Sequence, residues 1–99
     1  MSKKEQIIEE IRKIYDPELP VNIYELGLMY DIIVKDEKYA NIKMTLTTPN
    51  WPVAESLPKE VKEGAMQVEG IEDVDLELVW DPPWNKDMMS EAAKLELNL

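Results

Sequence analysis

The chain has 99 residues, 44% of them hydrophobic and 32% charged, and its 21 acidic against 11 basic side chains give a formal net charge of -10. Cysteine and histidine are both absent, which removes disulfides, thiolate nucleophiles, zinc knuckles and a near-neutral imidazole base or ligand from its chemistry. The composition is that of one soluble globular domain spanning 1–99, and its charge repels phosphate backbones, which argues against nucleic acid as a partner.

The start, Met1-Ser2-Lys3-Lys4-Glu5, runs into a charged amphipathic pattern without the apolar stretch of a leader or a membrane helix, so a cytoplasmic location is expected. From Ser2 onward, Ile7, Ile8, Ile11, Ile14 and Tyr15 recur at helical spacing, with Glu9, Glu10, Arg12 and Lys13 opposite. The spacing predicts an amphipathic first helix stopped by Asp16-Pro17. After a turn at Gly27, Leu28, Tyr30, Ile32 and Val34 alternate with Met29, Asp31, Ile33 and Lys35, the period of a half-buried strand. Asp36-Glu37-Lys38 turns the chain into a second alternation, Ala40, Ile42, Met44 and Leu46 against Asn41, Lys43, Thr45 and Thr47. So short a connection requires antiparallel pairing.

Leu57, Val61, Ala65, Met66 and Val68 form another helical stripe, ended by Gly70, which can take the left-handed conformation of a helix stop. A proline inside a helix clashes with the carbonyl four residues back, so Pro58 places residues 52 to 57 in an irregular or first-turn segment, with Ser56 available as a cap. Val74, Leu76, Leu78 and Trp80 then alternate with Asp73, Asp75, Glu77 and Val79, a third strand with a wet acidic face and with Trp80 in phase with the core. Asp81-Pro82-Pro83-Trp84 ends it, and Ser90 with 91–97 suggests a short closing helix. The order is an α+β fold, a two-layer α-β-β-α-β-α sandwich on a three-stranded mixed sheet. A parallel, right-handed crossover would lay the third strand beside the first. Met29, Met44 and Met66 read as core filling, and Met88-Met89 as part of an apolar contact surface.

Several stretches together resemble one known family. They are Asp16-Pro17-Glu18-Leu19-Pro20-Val21-Asn22-Ile23, Glu25-Leu26-Gly27-Leu28-Met29-Tyr30-Asp31, Met44-Thr45-Leu46-Thr47-Thr48-Pro49, Val79-Trp80-Asp81-Pro82-Pro83-Trp84 and Met89-Ser90-Glu91-Ala92-Ala93. In this order, over nearly the whole chain, they look like the SufT/PaaD-like iron-sulfur cluster assembly family, the metal-sulfur cluster biosynthetic domain. By the resemblance, the second strand would end in a Thr-Pro-x-Cys-Pro turn whose cysteine is the reactive residue. Here Trp51 stands in its place. A thiol just before a helix gains acidity from the positive dipole end, whereas an indole has neither that acidity nor a lone pair for a metal. The turn therefore cannot ligate iron.

Three proline-punctuated segments, 16–20, 47–52 and 80–84, read as turns converging on one site. Its candidate residues are Asp16, Glu18, Thr47, Thr48, Pro49, Trp51, Asp81 and Trp84. The bland uses are clear for each type: Trp51 packs against Trp84 or Leu57, Glu18 and Asp81 orient turns by accepting backbone N–H groups, and the threonines satisfy a strand end or cap a helix. Exposed aromatics in turns would instead anchor a partner. No calcium-loop spacing occurs and no titratable pair suggests general acid–base catalysis, so neither a metal site nor an enzyme is expected. The resemblance implies an adaptor in iron-sulfur cluster assembly or iron-sulfur protein maturation. It would hold no cluster stably and meet clusters only through its partners, which are assembly proteins or recipient apoproteins, with no membrane and with a homodimer open to it through the sheet edges. The alternative it implies is a non-catalytic accessory module of a metal-dependent oxygenase system.

Overall fold

The structure is a computed structural model, and the described residues are 2–16, 19–47 and 51–97, with backbone alone for 51–53. The first helix, α1, runs Lys3–Ile11 and is capped by Ser2, whose hydroxyl accepts the Glu5 N–H at 3.1 Å. It buries Ile7 and Ile11 completely and rests Ile8 on the core edge, as does Ile14 just beyond it. It stops sooner than the periodicity predicts, and Tyr15 is 58% exposed. The reason is a competing set of backbone bonds: Lys13 and Ile14 close tight turns onto Glu10 and Ile11, the Ile14 carbonyl accepts Ile23 N–H at 2.9 Å, and Tyr15 bridges Asn22.

Strand β1, Met29–Lys35, and strand β2, Tyr39–Met44, form the expected antiparallel hairpin. Asp36 and Glu37 turn it at φ 54° and 57°, and Lys38 N–H closes onto the Lys35 carbonyl at 3.0 Å. The register shifts between Met29 and Asp31, so Tyr30 is the bulged residue. In β2, Ala40, Ile42 and Met44 all face the core, and Leu46 just beyond it is also buried. Thr45, which the alternation places on the wet side, is buried as well, because the strand ends at Met44 and the chain changes direction there.

The second helix, α2, spans Trp51–Met66 and contains Pro58. It corrects the sequence reading at both points: residues 52 to 57 are helical and Ser56 is an exposed interior position rather than a cap. Pro58 offers no N–H to the Ala54 carbonyl and costs about 3 kcal/mol, but burial of Leu57, Val61, Ala65 and Val68 along the same face outweighs it at roughly 1.5–3 kcal/mol for each large side chain. Met66, expected in the core, lies on the opposite side and is 38% exposed. Gly70 takes the predicted left-handed conformation, φ +92°, between α2 and β3, Asp73–Leu78.

The strand order is β1-β2-β3, with β2 and β3 parallel in the register Tyr39↔Asp73 to Met44↔Leu78. The third strand therefore lies beside the second, not the first. The hairpin uses one edge of β2, the most completely buried strand, and the crossover through α2 fills its other edge, which leaves the most apolar strand in the centre. α1 and α2 cover one face of the sheet, and a short helix α3, Glu91–Glu96, closes the chain with Ser90 as its cap. The wet face carries Asp73, Asp75 and Glu77, as the alternation predicts.

Candidate functional site

The C-terminal ends of β2 and β3 and the start of β1 meet at one end of the sheet. There the Thr45 N–H donates to the Leu28 carbonyl at 2.9 Å and the Val79 N–H to the Met44 carbonyl at 2.8 Å, extending the ladder beyond the strands. The segment after β3 is stapled onto this end from two sides. The Tyr30 hydroxyl donates to the Pro82 carbonyl at 2.6 Å and lies 3.5 Å from the Met88 sulfur, while the Trp84 indole N–H donates to the Leu26 carbonyl at 2.7 Å. Between these staples Gly27, at φ +83°, lets the backbone pass so close to the Met88 carbonyl that a Cβ would stand 2.3 Å from its oxygen. The Asp81–Pro82 peptide is cis.

Burial raises the Tyr30 hydroxyl above the ordinary tyrosine pKa, and the charge of Asp81 adds to the rise, while the neighbouring Thr45 hydroxyl opposes it. Thr45 Oγ1 sits close enough to Tyr30 to act on its titration but meets no hydrogen-bond geometry, and it is buried without a partner among the described residues. Next to the Gly27–Met88 contact, α3 is tied to the loop before β1. Ser90 N–H donates to the Glu25 carbonyl at 2.9 Å, and the Ser90 hydroxyl holds the Glu25 carboxylate below its ordinary pKa, against desolvation and with help from Arg12. Arg12 pairs with Glu25 and stacks its guanidinium 4.6 Å from the Tyr24 ring centroid.

Among the residues that the sequence singled out, Asp16 is buried, and its carboxylate accepts the Leu19 N–H at 3.3 Å, so it shapes the turn that it begins. Asp81 is exposed beside Tyr30. Thr47 is half-buried at the exit from β2. Trp84 is half-buried against the core and hydrogen-bonded, so it is a strut of the site and not a free anchor. The expectations for Glu18, Thr48 and Pro49, and for the Trp51 side chain, lie outside the described residues; Trp51 opens α2. Trp80 reverses the sequence reading. It is 46% exposed, because β3 ends at Leu78 and the chain leaves the ladder before the tryptophan's turn comes to face inward. The signal was present in Pro82-Pro83, which cannot supply ladder N–H groups and draw the strand's end back from them. Met88 is half-buried and Met89 buried, so the pair is largely packing rather than an open contact surface.

Such a site offers an exposed indole and a carboxylate on a firmly held turn. Among the described residues no group of three or more aspartates, glutamates, histidines or cysteines is close enough to hold a metal ion. No helix among them is long and apolar enough to cross a membrane.

Comparison with known proteins agrees with the motif reading. The family described as iron-sulfur cluster assembly protein matches residues 4–78. The Fe-S protein maturation auxiliary factor of Porphyromonas gingivalis (strain ATCC BAA-308 / W83) is 43% identical over 97 residues, covering 98% of this chain and 92% of that protein. The Fe-S protein maturation auxiliary factor SufT of Staphylococcus aureus (strain USA300) is 40% identical over 86 residues, covering 87% of this chain and 98% of that protein. Among solved structures, a domain of unknown function from Bacillus anthracis superposes with a TM-score of 0.89 at 33% identity, covering 98% of this chain and 92% of its own. With a family match over residues 4–78 and relatives matched along most of its length, the chain belongs to the SufT-like iron-sulfur cluster assembly protein family.

Proposed function

We propose that this chain is a cytoplasmic, single-domain accessory factor in iron-sulfur protein maturation, which acts by contact with assembly proteins or recipient apoproteins and catalyses no reaction itself. The observation that carries this reading is an exposed Trp80 on a turn that Tyr30 and Trp84 hold in place, in a chain with no cysteine. A cysteine-free chain has no thiolate to offer iron, and its remaining oxygen donors suit hard cations rather than a sulfide-bridged cluster. The cluster is thus cargo of the partners. What the chain can supply is a docking surface, and a large amphipathic aromatic beside polar rim groups is the kind of residue that dominates binding energy. Relatives named as auxiliary factors support the same role.

Binding of purified cluster-assembly proteins and of a purified iron-sulfur apoprotein to the immobilised chain tests this. Trp80→Ala weakens capture at least about tenfold, the loss of one aromatic anchor, with the circular dichroism unchanged. Trp51→Cys leaves capture intact, because contact rather than sulfur chemistry is at work. Undiminished capture by Trp80→Ala, or a stoichiometric iron and sulfide chromophore on the anaerobically reconstituted wild-type chain, overturns the reading.

A further inference from the structure

The two edges of the sheet differ in kind. Along β3 the wet face reads Asp73, Asp75, Glu77, three exposed carboxylates in a row. A second β3 laid against them would set acid against acid, so this edge is guarded. Among the described residues strand β1 is paired on one side only, with β2, and its wet face reads Asp31, Ile33, Lys35: acid, apolar, base. Ile33 is 43% exposed although it occupies the middle of a strand. α1 does not close over this edge either; an open cleft of about 140 Å³ runs between them, lined by Ile8, Tyr24, Met29 and Tyr30 among others.

An acid, isoleucine, base order has a particular property under two-fold symmetry. Read against itself in the antiparallel sense and centred on Ile33, it sets Asp31 opposite Lys35 of the other copy at both ends and Ile33 opposite itself. On the face towards the helices the same register sets Ile32 against Val34. A shift of the centre by one residue in either direction sets charge against apolar side chain and loses both ion pairs. We propose that the β1 edge is a homodimer interface, in which a second copy of this chain pairs antiparallel about Ile33 and the two sheets become one of six strands. The charge complementarity chooses both the edge and the register, and the unpaired N–H and C=O groups of β1 find partners in the copy. The inference stands independently of the maturation role.

Sedimentation equilibrium tests it, with far-ultraviolet circular dichroism to verify folding. The wild-type chain shows a concentration-dependent dimer. Asp31→Lys and Lys35→Asp each turn both symmetry-related attractions into repulsions and weaken the dimer by about tenfold or more, while the double variant Asp31→Lys/Lys35→Asp returns to within about threefold of wild type. Since the chain has no cysteine, Ile33→Cys places a single thiol at the two-fold axis, where facing Cβ atoms come within disulfide reach. Mild oxidation crosslinks it rapidly, whereas Asn41→Cys on the same face of β2 crosslinks slowly. A strictly monomeric chain, a double variant no tighter than the singles, or equal crosslinking at the two positions overturns the proposal. So does association that charge reversal leaves unchanged, which would point to another occupant of the edge.

Discussion

The Tyr30 hydroxyl and the Pro82 carbonyl lie 2.6 Å apart, so one hydrogen bond joins the bulge of β1 to the turn that follows β3, 52 residues away in the chain. The bulge makes this possible, since the shift between Met29 and Asp31 gives Tyr30 an aim that regular alternation would not. Tyr30→Phe keeps the ring and removes the bond, at a cost of about 1 kcal/mol, read as a lower urea midpoint. Because burial, with Asp81, raises the folded-state pKa of Tyr30, ionisation is disfavoured in the native state. Its contribution is complete below the unfolded value near 10 and is lost as pH rises through the higher folded value. Wild type therefore loses stability across that alkaline range more steeply than Tyr30→Phe. Parallel pH profiles would show that the hydroxyl titrates freely.

A second ionisable contact has the opposite sign. Glu25 is held below its ordinary pKa chiefly by the Ser90 hydroxyl, then by Arg12. Its contribution to stability is present above the unfolded carboxylate pKa and disappears as pH falls through the lower folded value. Ser90→Ala removes both this bond and the cap of α3, where the hydroxyl accepts the Ala93 N–H at 3.1 Å. The cap alone costs about 1 kcal/mol at any pH. Denaturant unfolding will show a larger penalty at neutral pH than in acid, and the Glu25 carboxyl resonance will titrate at higher pH in the variant. A penalty equal at both pH values would assign the whole effect to capping.

Much of this arrangement was legible in the residues. The period-two pattern of Ala40, Ile42 and Met44 predicts β2 and its buried face correctly, because one face of a sheet leaves no other place for them. The motifs likewise give the family, since they constrain turns and chemistry together. What periodicity could not convey is where an element stops, for that depends on competing partners elsewhere in the chain. Tyr15 leaves its helical stripe to bridge Asn22, Trp80 leaves its strand after Leu78, and Pro58 sits inside α2 because tertiary burial outweighs a local penalty. The position of β3 beside β2 is also a tertiary choice, since either edge of the hairpin satisfied the alternation.

The two tryptophans around the turn separate fold from surface. Trp84→Phe retains most of the packing but leaves the Leu26 carbonyl without its indole donor, for a loss of about 1–2 kcal/mol. Trp80→Phe, at an exposed position, changes stability by less than about 0.5 kcal/mol. Tryptophan fluorescence in the Trp84→Phe and Trp80→Phe variants distinguishes the same two environments: iodide quenching falls when Trp80 is replaced and rises when Trp84 is replaced. Equal quenching in the two variants would mean that both indoles are equally accessible.

Gly27 is the position where the backbone itself decides whether the site can close. Its φ of +83° is strained for any L side chain, and a methyl group there would overlap the Met88 carbonyl at 2.3 Å. Relaxation by moving a flexible side chain is not open, because the obstruction is backbone that leads into buried Met89 and the Ser90 cap. Gly27→Ala thus costs about 1–3 kcal/mol in conformation alone, and overlap adds to it. Hydrogen exchange should show the loss as faster exchange at Met88, Met89 and Ser90, whose amides bond Asn85, Lys86 and Glu25, while the paired amides of β2 at the centre of the sheet are the last to respond. Uniform acceleration across the sheet would mean that the contact supports the whole fold and not the docking of this segment.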